Sequence, residues 1–188
     1  MEESRPALLV VEAGDELREA ELDALEARGR VVARLTITES ADRPALRELA
    51  AALELLRARE GVDGQRIELL GLGRGATLSF LYACQTGGLL AVAMWGGELV
   101  RDALDAERPF QPLEMALGLE APLLVHVGAQ TPAGAPERVE LIRSTFAQFA
   151  RDVEFEVHAE GGEPLEGAAR ARALASTLEF LEGREVAS

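Results

Sequence analysis

Lysine is absent from the 188-residue sequence, so arginine supplies all 19 basic side chains. A chain without lysine cannot form a lysine Schiff base with a carbonyl substrate, and it lacks the lysine of a Walker phosphate-binding loop. Cysteine and histidine are nearly as scarce, since only Cys84, His126 and His158 are present. Their wide separation excludes the short-spaced Cys/His motifs of zinc sites. It does not exclude a metal site formed mainly by carboxylates. The sequence predicts no metal and no cofactor.

Long apolar runs are also missing. No stretch approaches the ~20 apolar residues of a membrane span, and no basic segment precedes an apolar run near the N-terminus. A single cysteine excludes an internal disulfide and is typical of a reducing compartment. The formal net charge of −14 disfavours nucleic acid and anionic membranes as partners. We therefore expect a cytoplasmic protein in which residues 1–188 form a single domain.

Six short apolar runs predict β-strands, and the segments between them have helical spacing. Leu49, Leu53 and Leu56, for example, share one helical face. Strands that alternate with helices favour an α/β fold, a three-layer sandwich around a mainly parallel sheet. The predicted strands are residues 7–11, 31–37, 67–70, 89–95, 122–127 and 153–158.

The burial pattern of these runs predicts their order. Four are almost continuously apolar, as central parallel strands are. The runs 31–37 and 153–158 alternate instead, which is typical of sheet edges. The predicted spatial order is 2-1-3-4-5-6.

The segment Gly71-Leu72-Gly73-Arg74-Gly75 follows the third predicted strand and precedes a helical segment. It resembles the nucleophile elbow of α/β hydrolases, G-x-S-x-G or G-x-C-x-G, and its flanks are most similar to the dienelactone hydrolase family. The resemblance implies a minimal α/β-hydrolase fold that lacks the first two strands. It also places Gly73, which has no side chain, at the position of the nucleophile.

The other two triad positions are also substituted by this resemblance. The family follows its fifth strand here with x-x-Asp-Pro, whereas this chain has Ala129-Gln130-Thr131-Pro132, so Thr131 stands in place of the acid. The loop after the last strand carries the family's histidine, and the aligned residue is Glu163. The two oxyanion donors are backbone groups, however, and would survive the loss of the triad. The implied ligand-binding residues are Ala13, Gly14, Gly73, Arg74, Trp95 and Glu163.

The same turn also matches a second motif. Gly71, Gly73 and Ala76 fit the dinucleotide fingerprint G-x-G-x-x-A, with the acidic Glu98 further along the chain. That fingerprint belongs on the first strand of its fold, whereas here it falls on the third. The resemblance to the elbow is therefore favoured.

Four other residues of reactive type are expected to be structural. Cys84 and Ser79 lie on a helical apolar segment and are predicted to pack in the core. His126 lies within an apolar strand, which also predicts a core position. His158 alternates with Glu154 and Glu156, so we expect it on a solvent-facing side of the last strand.

Three function classes follow from these observations. The first is a catalytically inactive hydrolase domain that binds a small molecule or a protein. The second is a hydrolase of small esters or lactones in which Glu163 activates water. The third is a nucleotide binder that uses the Gly71–Gly75 turn. The edge strand 153–158 and the last helix further predict a two-fold homodimer.

Overall fold

The computed structural model describes residues 4–185, in which strands and helices alternate along the chain. The strands are β1 (Arg5–Ala13), β2 (Val31–Thr36), β3 (Val62–Gly73), β4 (Ala91–Trp95), β5 (Leu123–Gly128) and β6 (Val153–His158). The α-helices are α1 (Glu19–Glu26), α2 (Asp42–Arg57), α3 (Arg74–Gln85), α4 (Pro136–Gln148) and α5 (Gly167–Glu185). Two 3-10 helices span Pro112–Gly118 and Pro132–Gly134.

All neighbouring strands pair in parallel, in the order β2-β1-β3-β4-β5-β6. This order and the α/β-hydrolase-like fold confirm the sequence-based predictions. The chain passes from β1 outwards to β2, and then returns to β3 on the other side of β1. The carboxyl ends of β1 and β3 therefore flank a topological switch point, where parallel sheets commonly bind ligands.

Two apolar cores lie on opposite faces of the sheet. Helices α2, α3 and α4 contribute Leu53, Phe80 and Phe146 to the larger core. Helices α1 and α5 contribute Leu25 and Leu181 to the smaller one. The predicted leucine stripe of α2 is buried at its centre, where Leu53 is fully covered. Burial of apolar surface on both faces of the sheet is the main stabilising contribution to such a fold.

The ends of the strands differ from the predicted ones. The strand predicted at residues 67–70 extends over Val62–Gly73, because β1 continues to pair with it through Gly71, Leu72 and Gly73. An apolar run marks the buried centre of a strand, whereas hydrogen bonding extends into polar and glycine residues that leave no apolar signal.

No helix within residues 4–185 combines the length and the apolarity needed to cross a membrane.

Candidate functional site at the ends of the central strands

Gly73 forms a sharp turn where β3 passes into α3. Its backbone has φ 51° and ψ −125°, a conformation that glycine adopts readily and other residues rarely adopt. The prediction of a positive φ between the third strand and the following helix is confirmed. The turn itself therefore has the strained geometry expected of an elbow, although its central residue has no side chain.

The two flanking glycines allow the elbow to pack against backbone. A Cβ on Gly75 would lie 2.8 Å from the carbonyl carbon of Val11 in β1, and still closer to its oxygen. A Cβ on Gly71 would lie 2.6 Å from the amide nitrogen of Ala76. Both distances are too short for a real side chain. Glycine is therefore required at these two positions by close packing.

The position of the missing nucleophile is open. A Cβ built on Gly73 would have the Ala13 carbonyl oxygen at 3.8 Å, and Asp15 Cβ and Glu163 Oε1 at 3.9 Å. These are ordinary van der Waals distances. A side chain at residue 73 would therefore fit and would contact the Glu163 carboxylate.

Glu163 is held in this place by backbone. Its Oε1 accepts a hydrogen bond of 2.9 Å from the Gly97 amide, in the loop that follows β4. The Glu163 residue is exposed, so its carboxylate can also contact water. The structure thus brings Gly73 and Glu163 together, with a carboxylate where the resemblance implies an imidazole.

Thr131 is engaged within its own loop. Its hydroxyl donates to the Gly128 carbonyl at 2.8 Å and accepts from the Gly134 amide at 3.2 Å. These bonds cap the second 3-10 helix. Both hydrogen bonds of the hydroxyl stay within the turn, and among residues 4–185 the histidine side chains hydrogen-bond to each other and to Thr177.

Trp95 does not line the cleft. Its ring is only 2% exposed, its Nε1–H donates to the Thr177 hydroxyl at 2.9 Å, and the Arg170 guanidinium lies 5.5 Å from the ring centroid. The side chain therefore packs in the apolar core between the sheet and α5. Of the predicted ligand-binding residues, Ala13, Arg74 and Glu163 line the two cavities beside the elbow, whereas Trp95 and Gly14 line neither. The exposed Gly14, with φ 91°, follows Ala13 at the end of β1.

Arginine side chains dominate the cleft beside the elbow. One cavity of about 310 Å³ and an adjoining one of about 400 Å³ share Arg74 and Arg108. The first cavity is lined by Arg74, Thr77, Gly97, Glu98, Arg101, Arg108 and Glu163. The second is lined by Ala13, Ile37, Thr38, Glu39, Ser40, Arg74, Glu107 and Arg108.

The arginines differ in how much charge they offer to a ligand. Arg74 donates to the Glu39 and Ser40 carbonyls at 2.6 and 2.7 Å, and burial lowers the pKa of its guanidinium. Arg101 is buried in an ion pair with Asp42 at 2.5 Å. Arg108 is about half exposed, and its partner Asp105 is equally exposed. Arg108 is thus the basic group of the cleft that is most available to a ligand.

Sequence reasoning missed Arg101 and Arg108, because both follow β4 in a segment without regular periodicity. The position of Thr77 could have indicated a cleft residue, because it lies four residues after Gly73 in the first turn of α3. Its hydroxyl accepts the Glu98 amide at 2.8 Å and so joins the elbow helix to the loop after β4. Glu98, the acidic residue of the alternative dinucleotide motif, lines the same cavity.

Two expectations for reactive residues outside the cleft are confirmed. Cys84 and Ser79 are buried in α3. Burial raises the pKa of the Cys84 thiol to about 12, so it is not a nucleophile near neutral pH. The Ser79 hydroxyl donates to the Gly75 carbonyl at 2.9 Å and closes the first turn of α3.

The two histidines meet in one cluster. His126 is buried as expected, but the prediction of a solvent-facing His158 is wrong, since His158 is only 4% exposed. His126 Nδ1 lies 3.1 Å from His158 Nε2 and 3.5 Å from Glu156 Oε2. Burial lowers the pKa of His126 to about 3 and also lowers that of His158. The sequence did contain a signal for this cluster. Glu156 and His158 share a strand face, and His126 stands opposite Glu156 on β5.

A family model and curated relatives both relate the chain to dienelactone hydrolases. The model of the family described as "Dienelactone hydrolase family" matches residues 17–182. A Salmonella typhimurium protein, provisionally named a carboxymethylenebutenolidase, is 30% identical over 105 residues, or 56% of this chain and 38% of that protein. The matched part therefore spans about two fifths of that relative.

Solved structures show the same fold at lower identity. A crystal structure from Klebsiella pneumoniae, provisionally titled a dienelactone hydrolase, has a TM-score of 0.82 at 19% identity and covers 97% of this chain and 88% of that one. Dipeptidyl peptidase 4 of Porphyromonas gingivalis has a TM-score of 0.80 at 16% identity, covering 97% of this chain and 31% of its own. At these identities the likeness concerns the fold alone.

Proposed function

Because the chain belongs to the dienelactone hydrolase family, we propose that it is a catalytically inactive member that binds a small polar molecule in the cleft above Gly73. The observation that carries this proposal is the glycine at the elbow. A triad needs a nucleophile, a base that takes its proton and an acid that orients the base. Here Gly73 offers no attacking atom, and Glu163 offers no imidazole.

The lining of the cleft supports binding without catalysis. Arg108 is an exposed donor, whereas Glu98 and Glu163 are acceptors, and all three line one cavity. Arg74 begins α3, so its backbone amide is one of the unpaired donors at the positive end of a helix. A molecule that carries both hydrogen-bond acceptors and donors fits this arrangement better than an apolar one.

The experiment is a hydrolysis assay on the purified protein with p-nitrophenyl acetate and with a simple aromatic lactone. We expect turnover no faster than in buffer. Thermal-shift screening of small hydroxy acids and keto acids then tests binding, since a ligand that binds only the folded state raises the melting temperature. Arg108→Gln should remove a shift caused by an anionic group, whereas the matched exposed variant Arg59→Gln should preserve it.

A second candidate function has a specific observation in its favour. Glu163 Oε1 lies 3.9 Å from the place that a Cβ would occupy on Gly73, next to space that a nucleophile would otherwise fill. A carboxylate in that position can act as a general base towards water, which typically accelerates a reaction by about 10²–10⁴-fold. This function would be hydrolysis of small esters or lactones.

One pair of variants separates the two candidates. Turnover that disappears in Glu163→Gln and persists in Glu166→Gln, an exposed glutamate on the same loop, would establish the second function. Absence of turnover in the wild-type protein together with a ligand-dependent thermal shift supports the first.

A further inference from the structure

We propose that His126, Glu156 and His158 form a binding site for a zinc-class transition-metal ion, separate from the cleft at Gly73. Each of these residues offers one ligand atom, and the three atoms lie within 4.8 Å of one another. Two imidazoles and one carboxylate are the ligand types of three-residue zinc sites. Both histidines of the chain are in this cluster.

The spacing of the atoms is close to that of a coordination shell. Around a tetrahedral ion with bonds of about 2.0–2.1 Å, neighbouring ligand atoms lie about 3.3 Å apart. His126 Nδ1 lies 3.1 Å from His158 Nε2 and 3.5 Å from Glu156 Oε2. Two of the three separations therefore match a coordination shell, and the third, between the ligand atoms of Glu156 and His158, is within 4.8 Å.

The backbone fixes two of these ligands to each other. His126 on β5 is the register partner of Glu156 on β6, and His158 follows Glu156 by two residues on the same strand face. Parallel neighbours and i, i+2 positions place all three side chains on the side of the sheet that α5 covers. The pairing of β5 with β6 therefore fixes the backbone positions from which the three side chains extend.

Groups around the cluster orient the ligands. His126 Nε2 lies 3.4 Å from the Thr177 hydroxyl, which already accepts the Trp95 Nε1–H. A hydroxyl oxygen has two lone pairs, so it can also accept an Nε2–H and leave Nδ1 unprotonated for a metal. The Ser176 hydroxyl donates to Glu156 Oε1, and this leaves Oε2 to face the histidines.

The site has a route to solvent through Glu156. The Glu156 side chain is 40% exposed, whereas both histidines are buried. A cavity of about 340 Å³ lies on its outer side, and Glu154 and Glu179 line this cavity together with Arg184. Three protein ligands and one open direction leave a fourth coordination position for water or a small ligand.

The test is metal binding to chelator-treated full-length protein. Zinc is titrated in competition with a chromophoric chelator, and cobalt is added separately because its visible absorption reports tetrahedral coordination. We expect one zinc per chain, and about tenfold or greater loss of affinity in Glu156→Gln and in His158→Gln. The matched control is Glu160→Gln, which removes the same charge from an exposed residue two positions after His158, and it should bind zinc as the wild type does.

Glu156→Gln keeps an oxygen that can accept the Ser176 hydroxyl, and the side chain at this position is partly exposed, so we expect the variant to fold. It therefore tests the site even if His158→Gln fails to fold. Circular dichroism checks the fold of each variant. Zinc should also be preferred over magnesium and calcium, since imidazole ligands favour the later transition metals.

Three outcomes overturn the proposal. One is the absence of stoichiometric binding at micromolar zinc, which would leave the cluster as a hydrogen-bonded histidine pair. The second is equal affinity in wild type and Glu156→Gln. The third is displacement of zinc by magnesium at similar concentration, which indicates surface carboxylates instead.

Discussion

Substitution of the elbow glycines tests the geometry of the candidate site most directly. Gly73→Ser introduces a side chain into open space, because the nearest atom to a Cβ there lies 3.8 Å away. Its cost comes from backbone strain alone, since φ 51° with ψ −125° is rarely adopted by residues other than glycine. Such strain costs about 1–3 kcal/mol.

Gly75→Ala introduces a different penalty. The new Cβ would lie 2.8 Å from the Val11 carbonyl carbon, and both sides of this contact are backbone. The clash can be relieved only if β1 and α3 separate, because neither side has a rotamer to change. Overpacking usually costs about 1–3 kcal/mol and occasionally more, and we expect this substitution to cost at least the upper value.

Gly183→Ala serves as the control. Gly183 lies in α5, is exposed and has nothing within 4 Å of its Cβ position. Alanine is favoured over glycine in a helix by about 0.5–1 kcal/mol, so this variant should be neutral or slightly more stable.

Urea denaturation followed by circular dichroism measures all three free energies of unfolding. For a chain of this size, each 1 kcal/mol corresponds to about 2–4 °C in melting temperature. The expected order of stability is Gly183→Ala, then Gly73→Ser, then Gly75→Ala. Wild-type stability in Gly75→Ala would refute the close packing of the elbow against β1. We expect no ester hydrolysis in Gly73→Ser, because neither Thr131 nor Glu163 supplies an imidazole base, and turnover in this variant would refute that reasoning.

Four other expectations can be checked independently. Arg170→Met should cost about 3–5 kcal/mol in urea denaturation, because it leaves the buried Glu21 without its ion-pair partner at 2.6 Å; a loss below 1 kcal/mol would contradict this. Asp42→Ala should destabilise the protein by a similar amount, because the buried Arg101 guanidinium loses the carboxylate that pairs with it. Asp102→Ala removes an exposed carboxylate and serves as the control. The Cys84 thiol, with its pKa raised to about 12 by burial, should not react with a disulfide reagent at pH 8 unless the protein is unfolded, and rapid labelling of the native protein would show that it is accessible. Light scattering at micromolar concentration should give the mass of a dimer, as the edge position of β6 suggests, whereas a monomer mass would remove that expectation.

The sequence was most informative where hydrophobicity alone determines structure. Continuous apolar runs identified the central strands, and the alternating runs identified β2 and β6 as edges, in agreement with the sheet. Gly73 was recognised because the glycine-rich segment between a predicted strand and a helical segment resembles the nucleophile elbow.

Other features depended on tertiary contacts that no local pattern encodes. Alternation correctly placed His158 on the face of Glu154 and Glu156, but it could not reveal that α5 covers that face at the level of His158. Trp95 is the last residue of β4, a position expected of a cleft residue, yet its indole N–H donates to Thr177 in α5. The arginines of the cleft come from an irregular segment, whose position is determined by Asp42 and other distant partners.

Arg170 joins two loops that the hydrogen bonds of the sheet do not connect. Its guanidinium, only 3% exposed, donates to Glu21 in α1, to Asp15 and the Glu16 carbonyl after β1, and to the Leu165 carbonyl before α5. One side chain therefore ties the loop that follows β1 to the loop that carries Glu163. Glu163 lines the cleft and Asp15 Cβ lies 3.9 Å from the Cβ position of Gly73, so a displacement of one loop beside the elbow should be transmitted to the other. In amide hydrogen exchange, α1 and the start of α5 would open together, and a ligand that contacts either loop would slow exchange in both.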